Sequence, residues 1–273
     1  MGGTIARYAS EGVEIHLVSA TRGERGRFGD VAEKPPMEIV GRTREVELWN
    51  AARVLGVRGV SFLNYLDGEL DLADPGEAIH RIVREIRRRR PDVVVTFAPD
   101  GAYGHPDHIA ISQFTTAAVI AAADTNYGWE ERWTTRGAAH RVSKLYYLAW
   151  AKEKWDAYQA ALKRLVSRVD GEDRQANPWP EWAITTRVDA TPYWRQAWEA
   201  ICCHRTQMAT YRGLERLPQC VHEQLWGKQE FYRAFSLVNG GRAVESDLFA
   251  GLRSDSEHST AIAGSGGDTV GVA

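Results

Sequence analysis

The chain has 273 residues, 44% of them hydrophobic, with a mean hydropathy of −0.40 and a formal net charge of −2. That length suits one large α/β domain, the charge provides no basic face for nucleic acid, and no run approaches the ~20 apolar residues of a transmembrane helix. Three cysteines, adjacent at Cys202 and Cys203 with a third at Cys220, make no disulfide framework and fit reduced thiols in a cytoplasmic protein.

In chain order, Gly3 to Ser10 predicts a helix with Ile5, Tyr8 and Ala9 on one face, closed by Gly12. Val13 to Ala20 reads as a buried strand, and Thr21 to Pro36 as a loop rich in Gly, Arg and Glu. Met37 to Leu55 is a helix closed by Gly56, and Gly59 to Tyr65 a strand. Residues 75–90 predict a helix ending in Arg87-Arg88-Arg89-Arg90 before Pro91. Cations there offset the helix dipole, so the run reads as a solvated helix end. Asp92 to Phe97 is a continuous β-branched run, the pattern of a strand buried on both faces. An Ala-rich helix over 109–123 and a strand from Lys144 to Trp150 complete the series. This rhythm predicts an α/β, Rossmann-like, mostly parallel sheet with helices on both faces. Beyond it, nine of the ten tryptophans lie at or after Trp129, which predicts a Trp-rich C-terminal portion capping the site. After about Leu252 the chain turns to Ser, Gly, Thr and Ala without periodicity, so residues 255–273 are expected to be a disordered tail on a 1–254 domain.

The stretch Gly101-Ala102-Tyr103-Gly104-His105-Pro106-Asp107-His108 carries the chemistry. It falls at a strand-to-helix turn, at the sheet edge where open α/β folds bind their ligands. His105 suits the helix cap, Pro106 the first helical position and Asp107 the first turn. His105 and His108, three apart, share a face. A capped helix with two solvated histidines is the bland alternative. As chemistry, neutral imidazoles suit zinc or iron, and the turn can supply one or two ligands, with His108 the best candidate. His105 could stabilise a developing oxyanion, Tyr103 could donate to the same oxygen, and Asp107 could orient a histidine. His16 reads as a core histidine, and His80, His140, His222 and His258 have no partner at ligand spacing.

Gly2-Gly3-Thr4-Ile5-Ala6-Arg7, Thr21-Arg22-Gly23-Glu24, Arg44 to Glu47, Tyr103 to His108 and His204-Arg205-Thr206-Gln207 together resemble the PIG-L/LmbE-type zinc de-N-acetylases, from residue 1 to about 252. That group removes acetyl from N-acetylglucosaminyl substrates and includes enzymes of mycothiol biosynthesis and mycothiol-conjugate cleavage. The resemblance implies that His108 is a zinc ligand, with iron(II) as the alternative metal. It makes His105 the electrostatic or acid partner, Tyr103 a phenol near the oxyanion, Glu24 and Arg44 substrate-binding, and Asp67 a partner for a sugar hydroxyl. Glu24 and Arg44 also read as an ordinary loop–helix ion pair. In the family a His-Pro-Asp-Asp-Glu segment precedes the Gly-Gly-Thr helix, supplying two zinc ligands and the general base. This chain opens at Met1-Gly2-Gly3, so the resemblance implies that those groups and a central strand are missing together, a misplaced start being the expected reason. A gap of unpaired backbone at the sheet centre is then expected.

The expected function is metal-dependent hydrolysis of the N-acetyl amide of a small amino sugar. The alternative is a non-catalytic remnant that binds a sugar or a protein partner. A nucleotide-dependent enzyme ranks last, because no Gly-x-Gly-x-x-Gly follows a strand. Assembly into a homo-oligomer is compatible with either leading reading.

Overall fold

Helices and strands alternate from the first turn of the chain, and the apolar spacing of each decides which face of one sheet it covers. The computed structural model describes residues 1–128, 137–162, 166–169, 171–175, 177–241, 243–253 and 269–272. In order these are α1 (Gly2–Ser10), β1 (Glu14–Ser19), α2 (Met37–Leu55), β2 (Gly59–Phe62), α3 (Pro75–Arg89) and β3 (Val93–Thr96). A distorted turn, α4 (Gly101–Gly104), leads into α5 (Pro106–Ala123), followed by β4 (Lys144–Ala149), α6 (Lys152–Leu162) and a hairpin of β5 (Val166–Val169) and β6 (Glu172–Gln175). The remainder comprises β7 (Thr186–Asp189), α7 (Trp194–Cys202), α8 (Arg205–Tyr211), α9 (Gln219–Trp226), β8 (Lys228–Ser236) and β9 (Thr269–Val272).

The main sheet runs β2-β1-β9-β3-β4-β8-β7. Pairing is parallel from β2 to β4 and antiparallel for β4–β8 and β8–β7. The two-residue period of a strand sends alternate side chains to opposite faces. Val94 and Leu145 therefore meet Ile82, Val83, Ile86, Phe114 and Ala118 of α3 and α5, while Val93, Val95 and Tyr146 meet Ile5 and Tyr8 of α1 together with Leu248 and Phe249. Helices cover both faces, as the alternation predicts.

Two expectations are corrected. The gap at the sheet centre does not occur, because β9 lies between β1 and β3, parallel to both, with Ile15 opposite Val270 and Val94 opposite Gly271. The expected disordered tail thus contains a central strand; Val270 is 2% exposed there, and the sheet's unpaired N–H and C=O groups provide the driving force. The rest of the predicted tail, 255–268 and 273, lies outside the described residues, as do Trp129 and Trp133. The second correction concerns the basic run. Arg87 is buried, and its guanidinium donates to the carbonyls of Ala122, Tyr127 and Asp124 at and beyond the C-terminal end of α5. It closes a neighbouring helix end in place of facing solvent.

On the antiparallel side Glu245 ties loop to sheet. Its carboxylate accepts from Lys144 Nζ (2.7 Å), Arg233 Nη1 (2.7 Å), Tyr146 OH (2.8 Å), Thr186 Oγ1 (2.8 Å) and Asn239 Nδ2 (2.6 Å). Burial alone would raise its pKa, but these donors together hold it down at about 2.

Candidate active site

Three loops that leave the C-terminal ends of β1, β2 and β3 converge on one rim. The third carries the motif. Gly101 and Gly104 have positive φ (62° and 75°), and so does Ala102 (66°). An alanine in that region costs about 1–3 kcal/mol, strain of the kind that collects at functional sites. Asp100 holds the turn, accepting from the Ala102 amide (3.1 Å) and from Trp179 Nε1 (3.2 Å). His105 caps α5 with Nδ1 accepting from the Asp107 amide (3.2 Å), and Pro106 takes the first helical position. The cap and the proline match the sequence reading.

The turn brings Tyr103, His105 and His108 together. Ring centroids lie 4.8 Å apart for His105–His108, 5.2 Å for Tyr103–His108 and 6.1 Å for Tyr103–His105. Phe97 stacks on His108 at 4.0 Å, which fixes the ring plane. His108 Nδ1 lies 3.1 Å from the Gly101 carbonyl, so Nδ1 carries the hydrogen and Nε2 presents its lone pair. Burial, helped by the nearby His105, lowers the His108 pKa to about 4 and keeps the ring neutral; the Gly101 carbonyl and Asp67 oppose this. Burial raises the Tyr103 pKa, with Tyr211 and Asp67 adding to it, so the phenol keeps its proton for donation.

Asp107 takes a different place from the one its chemistry suggests. Its Oδ2 accepts from the Gly68 amide (2.7 Å) and its Oδ1 from the Leu70 amide (3.1 Å). Both oxygens serve the loop after β2, so Asp107 positions neighbouring Asp67 and does not orient a histidine by hydrogen bond. Burial raises its pKa, against the pull of those two amides.

Glu24 and Arg44 do not pair directly. Glu24 Oε2 accepts from the amides of Arg22 (3.2 Å) and Asp67 (3.3 Å), while Arg44 Nη2 donates to the Arg27 carbonyl (2.6 Å). Asp67 Oδ2 in turn accepts from the Arg25 amide (3.0 Å). A side chain at Gly26 would collide with the Arg44 guanidinium. Burial lowers the Arg44 pKa, with Asp67 and Glu47 opposing, and its Nε is buried without a hydrogen-bond partner. A buried donor left open in this way is suited to an acceptor on a ligand.

Two further residues enter from the structure. Buried Glu47 accepts from the Thr206 amide and hydroxyl, both at 2.7 Å, and so fastens the start of α8 to α2. His204, just before that helix, is held neutral by burial. Their segments are among those matched by resemblance, but sequence spacing gives no sign of the contact across 159 positions. Among the described residues no group of three or more His, Cys, Asp or Glu side chains converges to hold a metal ion. His108 offers one donor, which does not complete a zinc site.

The sequence profile of the GlcNAc-PI de-N-acetylase (PIG-L) family matches residues 1–119. The chain is 31% identical to the mycothiol S-conjugate amidase of Streptomyces coelicolor over 276 residues, covering 92% of this chain and 91% of that protein. It is 34% identical to the 1D-myo-inositol 2-acetamido-2-deoxy-α-D-glucopyranoside deacetylase of Rhodococcus opacus over 279 residues, 92% of each. The chain belongs to the PIG-L family. Solved structures share the fold: the N,N'-diacetylchitobiose deacetylase of Pyrococcus horikoshii superposes with a TM-score of 0.61 at 20% identity, over 85% of this chain and 77% of that one. The 4-carboxy-2-hydroxymuconate hydratase of Pseudomonas putida gives 0.60 at 20% identity, over 89% and 92%. A deacetylase and a hydratase on one scaffold show that the fold does not fix the chemistry, which lies in the residues of the site.

Proposed function

We propose that this PIG-L chain hydrolyses the N-acetyl amide of a small N-acetylglucosaminyl substrate. The observation that carries this reading is the Tyr103–His105–His108 ring cluster at the C-terminal end of β3, with Asp67 near enough to act on Tyr103 and His108 and with Glu24 and Arg44 gathered round Asp67. Tyr103, kept protonated, donates to the acetyl oxygen as negative charge develops on it, and His105 stabilises the same charge. Arg44, Glu24 and Asp67 hold the sugar. The relatives, an amidase and an acetamido-sugar deacetylase, support the amide as the bond cleaved. Zinc, with iron(II) as the alternative, belongs to this reading; the described residues offer such an ion one imidazole and do not complete a site for it.

The test is release of primary amine and acetate from 1D-myo-inositol 2-acetamido-2-deoxy-α-D-glucopyranoside. His105→Ala and Tyr103→Phe are expected to lower kcat/KM by about 10²-fold each. Turnover unchanged in both variants would remove their assigned roles. The single described metal donor favours a second reading, a protein that binds the sugar without cleaving it. Saturable binding with no amine release would establish that alternative. We place the protein in the cytoplasm because Cys202, Cys203 and Cys220 are all free thiols. No helix among the described residues is long and apolar enough to cross a membrane.

A further inference from the structure

Beside the motif turn lies a pocket of about 390 Å3 whose walls include Tyr103, Trp150, Tyr158, Tyr211, Leu214 and Trp226, with His204 and Gln207 adding polar groups. Among the described residues no Asp, Glu, Lys or Arg lines it. The aromatic walls brace one another. Trp150 stacks on Tyr158 at 4.8 Å with 13° between planes, Tyr158 meets Trp226 edge-on at 5.8 Å, and Trp226 stacks on Trp198 at 6.4 Å. Such mutually packed rings are preorganised, so an entering group does not have to order them.

Size and polarity together select the occupant. An apolar cavity of about 150 Å3 accommodates benzene. The pocket therefore holds a ring with its linker, and the methyl of an acetyl group would leave most of it empty. A sugar placed there would lose partners for its hydroxyls, which the Glu24–Arg44–Asp67 group is better equipped to provide. Aromatic walls also attract cations, but a buried cation needs a counter-charge, and the described residues of the lining include no carboxylate. Tyr103 belongs both to this wall and to the reacting cluster, its ring 5.2 Å from His108, so the occupant is joined to the molecule being cleaved. We propose that this pocket is a subsite for a neutral aromatic group, or an apolar group of similar size, carried by the amino-sugar substrate. The proposal rests on the de-N-acetylase reading of the same site.

The experiment is equilibrium binding to the full chain, followed by tryptophan fluorescence, of methyl and phenyl N-acetyl-β-D-glucosaminide. Full burial of the ring predicts that the phenyl glycoside binds on the order of tenfold tighter or more. Tyr211→Ala, which removes one wall from a half-exposed position, should shrink that ratio and leave methyl glycoside affinity unchanged. Equal affinities for the two glycosides in the wild-type chain would overturn the subsite. If neither glycoside binds, the amino-sugar reading fails and benzyl alcohol, which carries the ring without the sugar, decides the pocket. Saturable quenching that weakens in Tyr211→Ala upholds an aromatic site, and absence of quenching overturns it.

Discussion

Asp107→Ala removes a carboxylate whose two oxygens receive the amides of Gly68 and Leu70. The two donors differ in what they face afterwards. Gly68 is exposed and its N–H can turn to water, whereas Leu70 is 1% exposed and its N–H has no such recourse. A hydrogen bond to a charged group contributes about 1.5–3 kcal/mol, and a stranded buried donor costs about 1–3 kcal/mol. Taking the lower figure of about 1.5 kcal/mol for Gly68 and the full range of about 1–3 kcal/mol for Leu70 gives a loss of roughly 2.5–4.5 kcal/mol. For a chain of this size that lowers Tm by roughly 5–15 °C. Urea and thermal unfolding measure the loss, and amide exchange at Leu70 shows where it arises. Asp107→Asn keeps one acceptor and should fall about midway. The reasoning fails if Asp107→Ala costs under about 0.5 kcal/mol, or if the Leu70 amide keeps its protection. The consequence for the site is direct, because this loop carries Asp67.

Glu245→Ala strands Lys144, which is fully buried, and Arg233, and is expected to cost about 3–5 kcal/mol in urea titration. Glu245 also predicts an acid limb. Its folded pKa of about 2 lies below its ordinary 4.5, so the stability it contributes is complete above about pH 4.5 and drains as pH falls toward 2. Glu245→Gln should flatten that limb, and an unchanged acid profile would refute the assignment. Glu47→Ala and Thr206→Val, analysed as a double-mutant cycle, should show a coupling of about 1 kcal/mol or more; additive losses would mean that the contact does not fasten α8. At Gly271 an added Cβ would sit 3.5 Å from Pro91 and 3.7 Å from Val94, beside a void of about 30 Å3. Gly271→Ala should therefore stabilise the sheet by about 0.5–1 kcal/mol. A destabilised variant, or one with no change in Tm, would mean that β9 is not held at the sheet centre.

What the sequence reveals follows the range over which its signals act. The helix predicted over Met37 to Leu55 is found at those bounds, because nineteen residues of apolar spacing and a left-handed Gly56 act locally. The cap at His105 and proline at 106 are equally local. Asp107 shows where this stops. Its residue type suits an orienting carboxylate, but its partners come from another loop 37 and 39 positions away. The Arg87 side chain shows the same limit, since four consecutive arginines look alike until one is seen beneath the end of α5. β9 is the extreme case. Four residues with a glycine among them carry no usable period, and both of the strand's partners lie more than 170 positions earlier.

The Glu47–Thr206 contact joins two kinds of information in the molecule. Glu24, Arg44, Asp67 and the Tyr103–His108 turn come from the first half of the chain, where βα loops deliver polar groups to one rim. The aromatic pocket comes almost entirely from the second half, from Trp150 just after β4 to Trp226 at the end of α9, where Trp150, Tyr158 and Trp226 hold one another in place. Glu47 on α2 grips the first turn of α8, and α8 ends at Tyr211, a wall of the pocket. Loosening that grip should move the wall relative to Tyr103 while leaving the ring cluster of α4 and α5 intact. Glu47→Ala should therefore weaken binding of the phenyl glycoside more than that of the methyl glycoside. An equal loss for both would mean that the two halves respond as a single rigid unit.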